Sequence, residues 1–347
     1  MDQNQPKESL IKGLSEKIGS RGRMILLFVF LISVFIIGAR HFVNWVNSSS
    51  SATRKDEGIH AENIWRAPDD ATIPTGAAGE EIRYGKELIA HTSDYLGPNG
   101  KVMAISNGMN CQNCHLDAGT KPFGNNYSAV ASTYPRFRAR SGTEETIEKR
   151  VNDCLERSLN GRALSNESRE MKAIVKYIKW LGTGVPKGET PNGAGLVTLA
   201  YLNIPADPVK GKIVFDEKCV VCHGKNGEGI RDTVKTTSWM YPPLWGNDSY
   251  NEGAGLFRLS RFAGYIKANM PLGANYTNPQ LTDEEAWNIA AYVNSLPRPK
   301  MNTTNDWPDI SKKPIDHPFG PYADSFSERQ HKYGPFKPIA EEQQSKK

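Results

Sequence analysis

Two short motifs with the same spacing contain four of the five cysteines of the chain. In each motif two thiols lie three positions apart, and a histidine follows directly. The residues are Cys111, Cys114 and His115 in the first motif and Cys219, Cys222 and His223 in the second. This pattern is typical of covalent haem attachment, in which each thiol bonds one haem vinyl group and the histidine binds the iron. The sequence therefore predicts two covalently bound haem c groups.

Two other uses of paired thiols fit this sequence less well. A zinc site would need a second Cys or His pair at ligand spacing, and only Cys154 remains outside the two motifs. A redox dithiol belongs in a βαβ unit and has no need of a histidine after each pair. Haem attachment accounts for both copies.

Each iron needs a ligand opposite its histidine, and the second copy offers Met270. It lies 47 residues after His223 and directly before Pro271, which resembles the Met-Pro ligand loop of many cytochromes c. Met240, 17 residues after His223, is the competing candidate. Histidine–methionine ligation raises the haem potential and suits electron transfer.

The first copy has no methionine at the matching place. Met270 lies 22 residues before Tyr292, and the same offset from Tyr177 reaches position 155, one residue from Cys154. A free cysteine is usually a small buried apolar residue, but in an oxidising compartment an unpaired thiol is a liability. We therefore expect Cys154 to bind the first haem iron. The alternatives are Met103, Met109, Met171 and His91.

The segment around Cys154 has the pattern of an amphipathic helix. Ser141 with Glu144 predicts a capping box at its start, and Gly161 predicts its end. Apolar residues repeat every four positions, and beside them runs a second row with the same step. That second row consists of Arg150, Cys154 and Ser158.

Three further arginines precede this helix. They are Arg136, Arg138 and Arg140. Arginine forks bind oxyanions, so the cluster and Arg150 favour an anionic substrate. The plainer interpretation is that these arginines bind haem propionates or solvate the surface.

The chain around the two motifs reads as a degenerate repeat. Segments beginning at Gly85 and Gly211 match as the starts of helices that lead to the motifs, and each copy ends in an apolar helix. Thr282 with Glu285 predicts a capping box for the second of these closing helices. The predicted fold is mainly α, with two tandem cytochrome c-type domains after an N-terminal transmembrane anchor.

The anchor is predicted from an apolar run that follows five basic residues: residues 24–39 carry no charge, and the apolar pattern resumes after Arg40 and His41. Residues 24–46 as a helix would extend about 34 Å, enough to span a bilayer core. The basic flank predicts a cytoplasmic N-terminus and export of the remainder. A cleaved signal peptide is the alternative, although the residues up to Ala39 form a poor cleavage site. We expect an inner-membrane anchor with the haem domains in the periplasm.

Composition and the positions of these features suggest where each segment and domain of the chain begins and ends. The chain has 347 residues and a formal net charge of +5, mildly basic, and no nucleic-acid partner is expected. The predicted segments are a cytoplasmic N-terminus 1–23, the anchor 24–46, a linker 47–64, the first domain 65–200, the second domain 201–299 and an extended C-terminal arm 300–347.

From about Trp65 to Pro299 the chain resembles the dihaem c-type, tetrathionate-forming thiosulfate dehydrogenase family. The segments 134–142 and 150–162 carry the resemblance. It implies His115 and Cys154 as ligands of the first haem, with His223 and Met270 at the second. It also implies a substrate pocket formed by Arg140, Arg150 and Ser158. Some members have a lysine directly before the methionine ligand, whereas this chain has Asn269.

The reaction implied is the joining of two thiosulfate ions to tetrathionate with release of two electrons, or its reverse. The family implies that the Cys154 sulfur bonds the outer sulfur of one thiosulfate. An external redox partner, such as another cytochrome or a membrane electron-transfer complex, would exchange the electrons. A dihaem electron carrier without substrate chemistry, and a cytochrome that transfers thiosulfate to a carrier protein, are the alternative functions.

Overall fold

The computed structural model describes residues 63–234 and 238–346, which are mainly helical. The described residues form a single compact unit. The predicted N-terminal segment, anchor and most of the linker lie outside the described residues. Among the residues that are described, no helix has the length and apolar character needed to cross a membrane.

The helices occur in three groups along the chain. The first group is α1 Ala77–Ala90, α2 Thr92–Leu96, α3 Leu116–Gly119, α4 Val130–Thr133, α5 Ile147–Arg157 and α6 Arg169–Leu181. The second is α7 Pro208–Lys218, α8 Val220–His223, α9 Leu259–Asn269 and α10 Asp283–Ser295. The third is α11 Glu328–Tyr333 and α12 Lys337–Ser345. Two small antiparallel sheets pair β1 Arg136–Arg138 with β2 Thr143–Glu145 and β3 Ile230–Arg231 with β4 Trp239–Tyr241.

The same helix crossing occurs in both modules and confirms the internal repeat. A Cβ atom at Gly85 on α1 would lie 2.1 Å from the Ala173 carbonyl oxygen of α6. A Cβ atom at Gly211 on α7 would lie 1.9 Å from the Asn288 carbonyl oxygen of α10. Only glycine permits such close backbone contact, so both glycines set the angle at which the closing helix packs. The predicted Thr282 capping box at the start of α10 is also present.

The apolar core is divided between the two modules, but the boundary differs from position 200. Leu196 and Leu199 pack in the second core, because the chain already crosses α9 there and Val197 contacts Gly264. Trp239 in turn packs in the first core. The two modules therefore share side chains across their boundary.

The C-terminal segment is not the extended arm that its composition suggested. It contains α11 and α12, and Phe336 and Ile339 are buried in the second core. Its low periodicity hid this docking, since only two apolar side chains secure the last helix. Upstream, Asp306 pairs with Arg157 of the first module. The segment thus contacts both modules.

Candidate active site

One cavity in the first module brings together most of the residues singled out in the sequence. It contains about 870 Å³ of space not filled by protein atoms, part of it open to solvent. The predicted site residues on its wall are Cys111, Cys114, His115, Arg150, Cys154 and Ser158. The alternative ligands Met103, Met109, Met171 and His91 do not line it. All five cysteines have free sulfurs, so the three thiols at this cavity are not consumed by a disulfide.

Helix α5 positions Cys154, but its boundaries differ from the prediction. The N-cap is Thr146, whose hydroxyl accepts a hydrogen bond from the Lys149 amide at 3.3 Å. Ser141 and Glu144 belong to the β1–β2 hairpin, so the capping box predicted there was wrong. The two short strands of the hairpin pair through backbone hydrogen bonds, and such pairing leaves no helical period in the sequence.

The end of α5 also differs from the prediction. Asn160, not Gly161, has the left-handed conformation, with φ of 44°. Gly161 is required for another reason, because a Cβ atom there would lie 2.0 Å from the Ile105 carbonyl oxygen. This close contact fixes the chain just after Ser158, which lines the cavity.

The charge at the cavity is set by Arg150 and Cys154. Within the described residues no hydrogen bond or ion pair holds the Arg150 guanidinium. Burial raises the pKa of the Cys154 thiol, but the Arg150 charge and a hydrogen bond with His115 lower it more, so the pKa falls to about 7. The charge of Cys154 in turn raises the pKa of Arg150. The site therefore favours a thiolate beside an unpaired guanidinium.

Arg140 is placed differently from the other predicted substrate residues. It does not line the cavity, and its Nη2 donates to the Asp153 carboxylate at 2.8 Å. Burial lowers the pKa of Arg140, and the charges of Arg150 and Arg157 lower it further. Arg140 is thus held by Asp153 outside the cavity wall that Arg150 lines. Asp153, which the sequence analysis did not single out, connects it to the helix that carries Cys154.

Both motif histidines have the geometry that an iron ligand needs. The Nδ1 atom of His115 lies 2.5 Å from the Asn125 carbonyl oxygen, and that of His223 lies 3.1 Å from the Pro242 carbonyl oxygen. A carbonyl oxygen only accepts, so Nδ1 carries the proton and Nε2 is the nitrogen whose lone pair can bind a metal. Burial also lowers the pKa of His223, which favours the neutral ring. The residues present therefore fit a haem in each module.

A second cavity surrounds the second motif. It contains about 1610 Å³ of unfilled space, part of it open to solvent. Its wall includes both thiols of that motif, His223 and both candidate methionines, Met240 and Met270. Met270 is half-buried at the end of α9, whereas Met240 is 51% exposed. Burial and rigid attachment to a helix favour Met270, although the structure brings both sulfurs to the cavity.

We expect Met270→Gly to lower the midpoint potential of the second haem, because methionine ligation raises it. The matched control is Met240→Gly, which removes the competing sulfur from the same cavity. The measurement is a spectroscopic redox titration of both variants. A shift with Met240→Gly and none with Met270→Gly would assign the ligand to Met240.

The haem count has its own test. The exported protein should exceed the mass of its polypeptide by two haem groups, since each motif supplies two thiols for vinyl attachment. Mass spectrometry of a Cys219→Ala, Cys222→Ala double variant should show the loss of one haem. An unmodified mass in the wild-type protein would contradict the prediction.

The two cavities share part of a wall. Asn110 and Cys114 of the first motif region line both. Across the boundary, the Tyr265 hydroxyl donates to the Asn113 carbonyl oxygen at 2.8 Å. The Asn269 amide donates to the Phe123 carbonyl oxygen at 3.0 Å. The residue before Met270 is therefore engaged in a contact between modules.

Comparison with known proteins gives consistent matches to both modules. Residues 101–186 match the family model described as SoxA/TsdA, cytochrome c domain, and residues 208–297 match the cytochrome c model. A thiosulfate dehydrogenase of Psychrobacter arcticus is 40% identical over 245 residues, 70% of this chain and 72% of the relative. That of Allochromatium vinosum is 39% identical over 236 residues, 67% of this chain and 83% of the relative.

A solved structure agrees with these matches. It is the as-isolated form of thiosulfate dehydrogenase (TsdBA) from Marichromatium purpuratum, with a TM-score of 0.61 and 32% sequence identity. The match covers 68% of this chain and half of the length of the solved one. Both modules described above are thus cytochrome c domains.

Proposed function

This chain belongs to the thiosulfate dehydrogenase family, and we propose that it is a dihaem cytochrome that interconverts thiosulfate and tetrathionate. The observation that carries this proposal is the unpaired Arg150 guanidinium beside the Cys154 sulfur, in a cavity with a haem-attachment motif on its wall. A carrier that only relays electrons needs no thiolate and no free cation at its haem. Joining two thiosulfate ions requires a positive charge that offsets their repulsion and a sulfur atom that bonds one of them.

The proposed reaction joins two dianions through their outer sulfur atoms. Arg150 offsets their repulsion, and Ser158 offers a hydroxyl to the sulfonate oxygens from one turn further along α5. The Cys154 thiolate bonds the outer sulfur of one thiosulfate, with loss of two electrons. The outer sulfur of the second thiosulfate then attacks that sulfur, forms tetrathionate and releases the Cys154 thiolate. No proton is gained or lost.

The two haems would supply the redox chemistry, each by accepting one electron. His115 and Cys154 would hold the first, and His223 with Met270 the second. Since the modules contact each other through the shared wall, the electrons would leave through the second module to an external cytochrome or membrane complex. The same residues serve the reverse reaction.

The proposal places the haem domains in the periplasm, held at the inner membrane by residues 24–46. Support comes from the two attachment motifs, because covalent haem attachment takes place outside the cytoplasm, and from the basic residues before the apolar run. Fractionation of the native host, followed by detergent extraction, tests this placement. Recovery of the haem protein from the cytoplasm would contradict it.

The decisive experiment is an assay of the purified holoprotein in both directions. Thiosulfate with an oxidised artificial acceptor should yield tetrathionate, and tetrathionate with a reduced donor should yield thiosulfate. The product is quantified together with the electrons transferred. Electron exchange without tetrathionate would favour a plain electron carrier, and thiosulfate consumption only with a carrier protein present would favour a transferase.

A further inference from the structure

The side chain directly before Met270 is polar and buried. Asn269 is 4% exposed, and its Nδ2 atom donates to the Phe123 carbonyl oxygen and to the Tyr265 carbonyl oxygen, both at 3.0 Å. Its Oδ1 atom is buried without a hydrogen bond in the part of the chain that the structure describes. A buried unsatisfied acceptor lowers stability, so the two donated hydrogen bonds are what this amide contributes. One of them holds the end of α9, and the other crosses to the first module.

The partner of Asn269 lies on a short loop that also orients the first motif histidine. Two residues after Phe123, the Asn125 carbonyl oxygen accepts from Nδ1 of His115 at 2.5 Å. Phe123 and Asn125 both have the left-handed conformation, with φ of 53° and 60°. This conformation is uncommon for residues other than glycine and persists where surrounding contacts enforce it. One loop therefore accepts hydrogen bonds from the ligand regions of both modules.

The chain between the two modules holds this loop in place. The Phe123 amide donates to the Gly193 carbonyl oxygen, and the Asn125 amide donates to the Gly195 carbonyl oxygen, both at 2.8 Å. Each of the two residues is thus bonded through its amide to one segment and through its carbonyl group to a different one. Because they are separated by a single residue, a shift of one carbonyl group also displaces the other.

A second contact connects the residues after Met270 to the same loop. The Tyr276 ring lies 5.0 Å from the Phe123 ring, centroid to centroid. Asn269 precedes Met270 in the chain, and Tyr276 follows it. The candidate iron ligand is therefore held to Phe123 from both sides, by a hydrogen bond on one and by an aromatic contact on the other.

We propose that Asn269 is a positioning residue that couples iron ligation in the two modules, since it ties Met270 to the loop that orients His115. This inference rests on the proposed function, in which His115 and Met270 bind the two irons. A hydrogen bond donated by Nδ1 makes a metal-bound histidine a more basic ligand, so the bond to Asn125 sets part of the potential of the first haem. Loss of the Asn269 contact then frees Met270 and relaxes the loop together.

The test is Asn269→Ala, followed by a spectroscopic redox titration of the purified holoprotein without substrate. We expect the two midpoint potentials to move in opposite directions. The potential of the second haem should fall and its methionine–iron charge-transfer band should weaken, because Met270 is held less firmly. The potential of the first haem should rise, because the hydrogen bond from His115 to Asn125 weakens and the imidazole donates less charge to the iron.

The matched control is Asn278→Ala, which removes an exposed asparagine side chain from the loop that follows Met270. Both potentials should keep their wild-type values in this control. A shift of Asn269→Ala confined to the second haem would show that Asn269 only supports its own loop, and it would overturn the coupling. Unchanged potentials in Asn269→Ala, or equal shifts in Asn278→Ala, would overturn it as well.

A second variant decides if Asn269→Ala does not fold. Tyr276→Leu removes the ring that packs on Phe123 and leaves the Asn269 amide in place. It should move the two potentials in the same opposite directions by a smaller amount, and an unchanged potential of the first haem would refute the coupling. The proposed function fails separately, if the wild-type protein does not turn over thiosulfate or tetrathionate. The coupling is measured without substrate, so the two failures are distinguishable.

Discussion

Replacing Cys154 with glycine should leave both haems attached and lower kcat by about three orders of magnitude or more, in both reaction directions. The sulfur belongs to the same row of α5 as Arg150 and Ser158, and it lines the cavity together with His115. In the proposed reaction this sulfur bonds the substrate sulfur, and no neighbouring side chain can take over that role. Steady-state assays with thiosulfate and with tetrathionate measure the loss.

Cys154→Met separates the two roles of the sulfur. A thioether can bind iron but does not form the persulfide-type bond that the proposed reaction needs, so ligation should recover while turnover stays low. Haem content and redox titration monitor ligation independently of activity. Near-normal turnover in Cys154→Gly would contradict the mechanism and reduce Cys154 to a core residue.

Replacing Arg150 with alanine should lower kcat/KM for thiosulfate by about two orders of magnitude. Arg150 is the cation at the cavity wall without a carboxylate of its own among the described residues. In the proposed reaction its loss removes the charge that offsets the repulsion of two dianions, and it also removes the charge that lowers the pKa of Cys154. Both losses lower kcat/KM for thiosulfate, so this is the second largest change that we expect.

The controls for Arg150 test charge and geometry separately. Arg150→Lys keeps the charge without the planar fork and should recover only part of the activity. Arg329→Ala removes one positive charge from the exposed face of α11 and should leave kcat/KM unchanged. An equal effect of Arg150→Ala and Arg329→Ala would show that Arg150 acts only through the overall charge.

The features that were predicted well depend on short spacing within the chain. The haem motifs follow from three adjacent residue types, and the closing helices from a regular apolar period. The face shared by Arg150, Cys154 and Ser158 follows from a step of four, and the structure places all three at one cavity. Position 154 was found by transferring the spacing between Met270 and Tyr292 to the first module. That transfer works when both modules pack their closing helix in the same way, as the close contacts at Gly85 and Gly211 show.

The features that were missed depend on contacts between distant segments. Ser141 and Glu144 suit a helix cap as well as a hairpin, and only the pairing of Phe137 with Glu144 distinguishes the two. Arg140 was assigned to the pocket, yet Asp153 holds its side chain. No spacing rule could have joined Asp306 to Arg157, which lie 149 residues apart. A single buried aspartate such as Asp153 leaves no periodic signal.

The wall that the two cavities share has a consequence for how this protein can change. Asn110 and Cys114 belong to the first module, yet they also line the cavity of the second. A substitution there would alter both pockets together, and a module transplanted from another cytochrome would arrive without the face that completes its neighbour. The two modules repeat one pattern, but they are not interchangeable parts. For protein engineering, the two modules therefore have to be redesigned together at this wall.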